Sequence, residues 1–157
     1  MNKKLHNKLS YAIDLGINFL LRNINANGFP NLERHCLATL CLLENIKSDK
    51  TEILLTRIAK NSYIDNNHIF IVCEGKEQYH LNVLAALCFL LSDKQNWASK
   101  CVNRITEDQE KYENKYMAQC IYLFTKMYEK TQEQKWLDKA KASAAWIVNN
   151  ETNLSRY

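Results

Sequence analysis

The chain has 157 residues, of which 46% are hydrophobic and 24% charged. This composition excludes a disordered chain and predicts one globular domain over residues 1–157. Three glycines and one proline are too few for the turns of a β protein, so an all-α fold is expected. The net charge of +4 comes from basic residues scattered among acidic ones, which excludes the basic stripe of a nucleic-acid-binding protein.

Apolar periodicity predicts about seven helices, separated by short polar turns. The second, fourth and sixth contain near-continuous apolar runs and are expected to be covered on all sides, whereas the third, fifth and seventh carry one apolar stripe. This alternation predicts stacked helical hairpins with inner and outer layers. A short extended segment is predicted at 69–73. The predicted helices lie at 4–24, 31–46, 50–63, 76–92, 94–107, 111–131 and 133–150.

The apolar segments show no feature of a membrane-spanning helix or of a secretory signal. The longest apolar run, Val83 to Leu91, is too short to cross a bilayer, and Asp14 and Asn18 interrupt the apolar stretch near the N-terminus that a secretory signal would need. The six cysteines show no paired spacing, so they are expected to be free thiols that pack as small apolar side chains. We therefore predict a cytoplasmic protein that does not bind a membrane and holds no metal or cofactor.

The last predicted hairpin has a recognisable pattern of aromatic and alanine positions. It resembles a hairpin of the six-hairpin, or α/α-toroid, proteins that process carbohydrates, and the turn from Asn23 to Pro30 is similar to one in terpenoid-cyclase-like toroids. The resemblance implies a ring of alternating inner and outer helices, of which this chain supplies about half. A split ring, a ring completed by two copies and an open arc are all compatible with it. The matching residues are Tyr128, Thr131, Glu133, Lys135, Trp136, Leu137, Ala140, Ala144, Trp146 and Ile147.

Candidate catalytic residues follow from aligning the three inner helices on Ala38, Ala85 and Ala118. In stacked hairpins the starts of the inner helices gather at one end, where helix dipoles favour an anionic ligand. A carboxylate beside an imidazole at that end can perform general acid/base catalysis, although acidic residues in a first helical turn also stabilise the helix dipole without any further role. The residues five positions before the alignment points are Glu33, His80 and Glu113.

Further residues near the same end are candidates for binding a ligand. Tyrosine rings there can stack on a sugar or a peptide, although half-buried packing is the more common role of such tyrosines. A zinc site built from His35, Cys36, Cys73 and His80 is not expected, because these residues lack the spacing of paired ligands. The candidate ligand-binding residues are His35, Tyr79, Asn82, Tyr112 and Tyr116.

Two functional hypotheses remain open from the sequence. In the first, the chain is a binding or accessory protein whose concave face or end loops engage a peptide, a protein or a second copy of the chain. In the second, it is a small toroid-type enzyme, completed by dimerisation, that acts on a carbohydrate or small polar substrate as a glycoside hydrolase, lyase or epimerase. The absence of a recognisable catalytic motif favours the binding protein.

Overall fold

The computed structural model describes residues 3–24, 31–46, 50–73, 75–107 and 114–154. Seven helices and one three-stranded sheet account for most of these residues, so the prediction of the all-α class is confirmed. The chain divides into two compact units, Met1–Asn61 and Ser62–Tyr157. Each unit has a buried core of its own helices.

The first unit consists of three helices, and polar side chains fix two of their ends. Asn31 precedes α2 with extended backbone angles, and its Oδ1 accepts a hydrogen bond from the N–H of Arg34 at 3.0 Å. This cap satisfies one of the N–H groups that the first helical turn leaves free. At the start of α3, Lys50 Nζ donates to the carbonyl of Leu21 at 3.0 Å. The helices are α1 (Lys3–Asn23), α2 (Leu32–Asn45) and α3 (Lys50–Lys60).

Apolar side chains from all three helices form the core of the first unit. Ile17 of α1, Leu42 of α2 and Leu54 of α3 are buried together. The stripe predicted on the third helix is confirmed, since Leu54, Leu55 and Ile58 are all buried. Partly buried side chains complete this core, namely Leu20, Leu21, Ile24 and Ile46.

The second unit begins with an antiparallel sheet in the order β1-β2-β3. The extended segment predicted at 69–73 is confirmed as β2, whose Ile69 and Ile71 point into the core. Gly75, just before β3, has φ +74°, a left-handed conformation that glycine adopts without strain. The strands are β1 (Ser62–Ile64), β2 (Ile69–Cys73) and β3 (Lys76–Glu77).

Four helices follow the sheet and pack as two hairpins. In the first hairpin Phe89 meets Trp97 edge to face at 5.2 Å, and in the second Phe124 stacks on Trp136 at 6.2 Å. Asp93 and Gln132, at the turns, have φ of 60° and 58°, the left-handed conformation in which helices commonly end. The helices are α4 (Tyr79–Leu91), α5 (Gln95–Glu107), α6 (Asn114–Thr131) and α7 (Gln134–Leu154).

The fourth predicted helix is covered on all sides, as expected, because every residue from 81 to 90 in α4 is buried. The same expectation is wrong for the second and sixth. Leu37 of α2 is 49% exposed and Tyr122 of α6 is 40% exposed. The polar residues that interrupt these runs are not on the exposed sides, since Thr39 is fully buried and Gln119 is half-buried. Each helix instead leaves part of its apolar surface in solvent, which is common for single apolar residues.

Two predicted helix ends are also corrected. The third helix was expected to reach residue 63, but the N–H of Asn61 bonds to the carbonyls of Arg57 and Ile58 and closes α3. Tyr63 then pairs with Phe70 in the sheet. The fourth helix was expected to begin at 76, but 76–77 form β3 against β2. After α3 the apolar Tyr63 and Ile64 continue a helical spacing, and before α4 the charged Lys76 and Glu77 fit a first helical turn as well as a strand, so periodicity alone did not separate helix from strand.

Candidate functional site

Two of the predicted site residues meet at the starts of α4 and α6. The imidazole of His80 stacks on the ring of Tyr116, with centroids 5.3 Å apart and planes inclined by 19°. Both side chains are half-buried, as is that of the neighbouring Tyr79. Among the described residues no carboxylate hydrogen-bonds to His80, and Glu113, the carboxylate expected beside it, lies outside them.

An unsatisfied acceptor lies on the same helix as Tyr116. Gln119 follows Tyr116 by three positions, so both lie on one face of α6. Its Oε1 is buried and has no hydrogen-bond partner in the described part of the chain. At the start of α4, the capping residue Gln78 makes no side-chain cap. The observed contact at this end of the helices is therefore the half-buried aromatic pair of His80 and Tyr116.

Asn82, a predicted ligand-binding residue, is turned into the protein and fully buried. Its Oδ1 accepts from the N–H of Ile71 in β2 at 2.6 Å, and its Nδ2 donates to Glu77 Oε1 at 2.8 Å. Both ends of the amide are therefore used to hold the sheet against α4. The structure gives Asn82 a role in the fold and leaves it no group directed to solvent.

Glu33 and His35 belong to the first unit. Glu33 lies exposed in the first turn of α2, where a carboxylate stabilises the helix dipole. His35 is fully buried, and its Nε2 lies 2.8 Å from the carbonyl oxygen of Leu54. A carbonyl only accepts, so Nε2 carries the hydrogen. Burial lowers the pKa of His35, against a smaller raising effect of the bond to Leu54, which leaves the ring neutral at pH 7.

The remaining predicted residues, Tyr112 and Glu113, lie outside the described residues. Of the three candidate catalytic side chains, the structure therefore describes two, and these belong to different units. The predicted residues that the structure brings into contact with each other are His80 and Tyr116.

An ion-pair network that the sequence did not reveal lies beside Asn82. Arg104 of α5 donates from Nε and Nη2 to the carboxylate of Glu77, with the shortest distance 2.5 Å, and its guanidinium lies 5.1 Å above the centre of the Phe70 ring. Such a two-pronged pair is geometrically specific and ties β3 to α5. Glu77 and Arg104 are 27 positions apart, and nothing in their local sequence signals the pairing.

A second missed cluster surrounds His68. Asp65 Oδ1 accepts from the N–H groups of Asn67 and His68 at 2.7 Å, which shapes the β1–β2 turn and lowers the pKa of Asp65. The His68 ring lies between two carboxylates, 3.0 Å from Glu107 and 3.4 Å from Asp65. These bonds, chiefly the one from Glu107, raise the pKa of His68. Asp65 followed by two asparagines is an Asx-turn pattern that could have been read from the sequence.

The third missed feature is an exposed apolar surface on α1, here called the α1 face. It consists of Tyr11, Leu15 and Phe19, which are 66%, 52% and 64% exposed. Residues four positions apart lie along one ridge of a helix. Ile17, which packs into the core, is two positions from Phe19, so the two side chains point about 200° apart around the helix. The helix is therefore apolar on two opposite sides, and periodicity alone could have revealed this.

An apolar groove borders the α1 face. It has a volume of about 420 Å³ and runs between α1 and α2 within the first unit. A side chain at Gly16 would meet no atom within 4 Å, so the groove is open to solvent at that point. The lining residues are Ile13, Gly16, Ile17, Phe19, Leu20, Cys41 and Asn45.

No family model, characterised protein or solved structure matches this chain. The resemblance of the last hairpin to the six-hairpin proteins stays a prediction. Among the described residues, no helix is both long and apolar enough to cross a membrane. Within the same residues, no group of three or more histidine, cysteine, aspartate or glutamate side chains is arranged to hold a metal ion.

Proposed function

We propose that this chain is a binding protein that docks an amphipathic helix of another polypeptide on the α1 face and its groove. The observation that carries this proposal is the exposure of Tyr11, Leu15 and Phe19 on the side of α1 opposite the core. Isolated exposed apolar residues are ordinary, whereas a continuous apolar ridge beside an apolar groove marks an interaction surface.

The shape and chemistry of the groove favour a helical ligand. Helix-in-groove recognition places side chains at i, i+3, i+4 and i+7 of the ligand into an apolar channel between two helices. The groove has this form, since α1 and α2 supply its walls and Gly16 leaves one wall low. Asn45 adds one polar group at the rim, which can orient the ligand.

The predicted enzyme has weaker support than the binding protein. His35 and Asn82 are already engaged in hydrogen bonds that hold the fold, and His80 stacks on Tyr116 without a hydrogen-bonded carboxylate in the described residues. Substitutions at two of the candidate catalytic residues test the enzyme directly. If His80→Ala and Glu113→Gln abolished turnover of a sugar or small acid without lowering the melting temperature, the enzyme would replace the binding protein.

The binding proposal is tested with a designed peptide. The probe is a fluorescein-labelled helix of Leu, Glu and Lys, about five turns long, with leucines on one side. We expect the chain to raise its fluorescence anisotropy at micromolar concentrations. Leu15→Ser or Phe19→Ser should weaken binding at least about tenfold, because each removes a large apolar contact at the centre of the surface.

The matched control is Val148→Ser, which removes an apolar side chain that is 68% exposed on α7 in the second unit. It should bind the peptide as the unchanged chain does. Because all three positions are exposed, none of the substitutions should shift the melting temperature by more than a few degrees. Equal peptide binding by the Phe19→Ser and Val148→Ser variants would refute the proposal.

A further inference from the structure

From the arrangement of charges around the α1 face, we infer that its occupant is α1 of a second copy of this chain, packed antiparallel. This inference rests on the proposed function, since it names the helix that the surface binds. The α1 face and its groove are self-complementary, with the Phe19 side chain protruding beside an opening at Gly16. A two-fold symmetric interface requires such a match of protrusion and recess on one surface.

Charged residues on one flank of the α1 face specify the direction of packing. Asp14, Asn18 and Arg22 are exposed and spaced by four, so they form the ridge next to Tyr11, Leu15 and Phe19. Asp14 and Arg22 lie about 12 Å apart along the helix, at equal distances on either side of Asn18.

Two-fold symmetry turns this spacing into pairing between copies. If the axis passes at the level of Asn18, Asp14 of each copy lies level with Arg22 of the other, so the interface contains two opposite-charge pairs. A parallel two-fold pair would instead set the charged flank of each copy against the uncharged groove side of the other, so neither charge pair would form. The antiparallel arrangement also brings Phe19 of each copy beside the groove at Gly16 of the other.

The size of the surface sets the expected strength of the dimer. In this register Tyr11 is level with a position beyond Asn23, the last residue of α1, so the apolar contact consists of Ile13, Leu15 and Phe19. These three expose roughly 300–350 Å² on each copy, given the usual size of such side chains. Twice this area is smaller than a standard specific interface, so the dimer should be weak and should depend on concentration.

The experiment measures solution mass by light scattering and sedimentation from about 10 µM to 1 mM, at low salt so that charges are not screened. The mass should rise from 18.4 kDa toward twice that value. Asp14→Arg and Arg22→Asp should each weaken dimerisation at least about fivefold, because each sets like charges against each other. The double variant Asp14→Arg/Arg22→Asp exchanges the charges and should restore it.

Cross-linking tests the register independently. Asn18→Cys, in a Cys41→Ser background because Cys41 lines the groove, places two thiols at the two-fold axis and should form an intermolecular disulfide under mild oxidation. Ser10→Cys in the same background is the matched control. In the antiparallel register the two residues 10 lie about 24 Å apart along the helices and should not cross-link.

The results separate this inference from the proposed function. A chain that stays monomeric but still binds the Leu/Glu/Lys peptide through Phe19 would overturn the self-association and leave the binding protein standing. A chain that neither dimerises nor binds the peptide would overturn both. Cross-linking of Ser10→Cys as efficient as that of Asn18→Cys, or a dimer unaffected by the charge reversals, would also overturn the antiparallel pair.

Discussion

Asn82→Ala is expected to destabilise the second unit more than any comparable asparagine substitution. The change removes an acceptor from the N–H of Ile71 and a donor from Glu77, both of which lie in the sheet next to α4. Asn82 itself is fully buried, and the residues from 81 to 90 around it are buried as well. No solvent is available at this position to replace the lost amide.

The magnitude follows from the two bonds. A buried N–H left without an acceptor costs about 1–3 kcal/mol, and a hydrogen bond to a charged group contributes about 1.5–3 kcal/mol. Glu77 keeps its pairing with Arg104 after the change, so only part of the second contribution is lost. We therefore expect the free energy of unfolding to fall by about 2–4 kcal/mol.

Urea unfolding followed by tryptophan fluorescence measures this loss in the correct unit, because Trp97, Trp136 and Trp146 all belong to the second unit. The matched control is Asn103→Ala, whose exposed amide donates to Asn67 over 3.4 Å, and its effect should stay within about 0.5 kcal/mol. If the two variants lost equal stability, or if Asn82→Ala lost less than about 1 kcal/mol, the reasoning about the buried amide would be refuted.

Three further predictions concern titration and thiol chemistry. Burial lowers the pKa of His35 below 6.5, so as the pH falls the unfolded chain takes up a proton before the folded chain does, and the stability of the first unit should fall below pH 6.5. Far-UV circular dichroism melts of the unchanged chain and of His35→Gln measure this dependence. A flat pH profile for the unchanged chain would contradict it. The bonds from Glu107 and Asp65 raise the pKa of His68 in the folded chain above 6.5. Their contribution to the stability of the second unit is therefore complete below pH 6.5 and is lost as the pH rises through that raised pKa. This loss of stability should be under about 1 kcal/mol in tryptophan-monitored melts, and it should be smaller in Glu107→Gln. If stability changed with pH equally in the unchanged chain and in Glu107→Gln, the bond between Glu107 and His68 would not be its cause. Burial raises the pKa of Cys101, and it raises the pKa of Cys120 to about 12, so both thiols should react with a thiol reagent at pH 8 only when the chain unfolds. The half-buried Cys41 and Cys73 should react in the folded chain. One common reaction rate for all six cysteines would exclude this difference in reactivity.

The fold was predictable where one local pattern decided the outcome. The unbroken apolar run from Val83 to Leu91 permits no solvent-facing side, and α4 is indeed buried from residue 81 to residue 90. At 61–64 and 76–77 the pattern failed, because Tyr63 and Ile64 can continue a helical stripe or face outward from a strand. Pairing with β2 decided between these possibilities, and strand pairing depends on residues distant in the sequence.

The candidate site was less predictable than the fold. The sequence placed His80 and Tyr116 near the same end of the inner helices, and they stack on each other because both occupy first turns, of α4 and α6. The same alignment gave no information on the partners of Asn82 or His35, which both bond to backbone groups of other elements. Side chains that complete a core and side chains that bind a ligand look alike until these partners are known.

The burial of α4 from residue 81 to residue 90 has a consequence for how the chain is made. Its cover comes from β2, which precedes it, and from α5 and α6, which follow it. At ordinary rates of translation, the ribosome needs a few seconds to extend a chain from the end of α4 to the end of α6. The end of α6 therefore leaves the exit tunnel a few seconds after the end of α4, and during that interval the largely apolar α4 lies outside the tunnel without its cover. This emergence is the stage at which the nascent chain most needs a chaperone, and slower translation while α5 and α6 emerge should lower the yield of native protein.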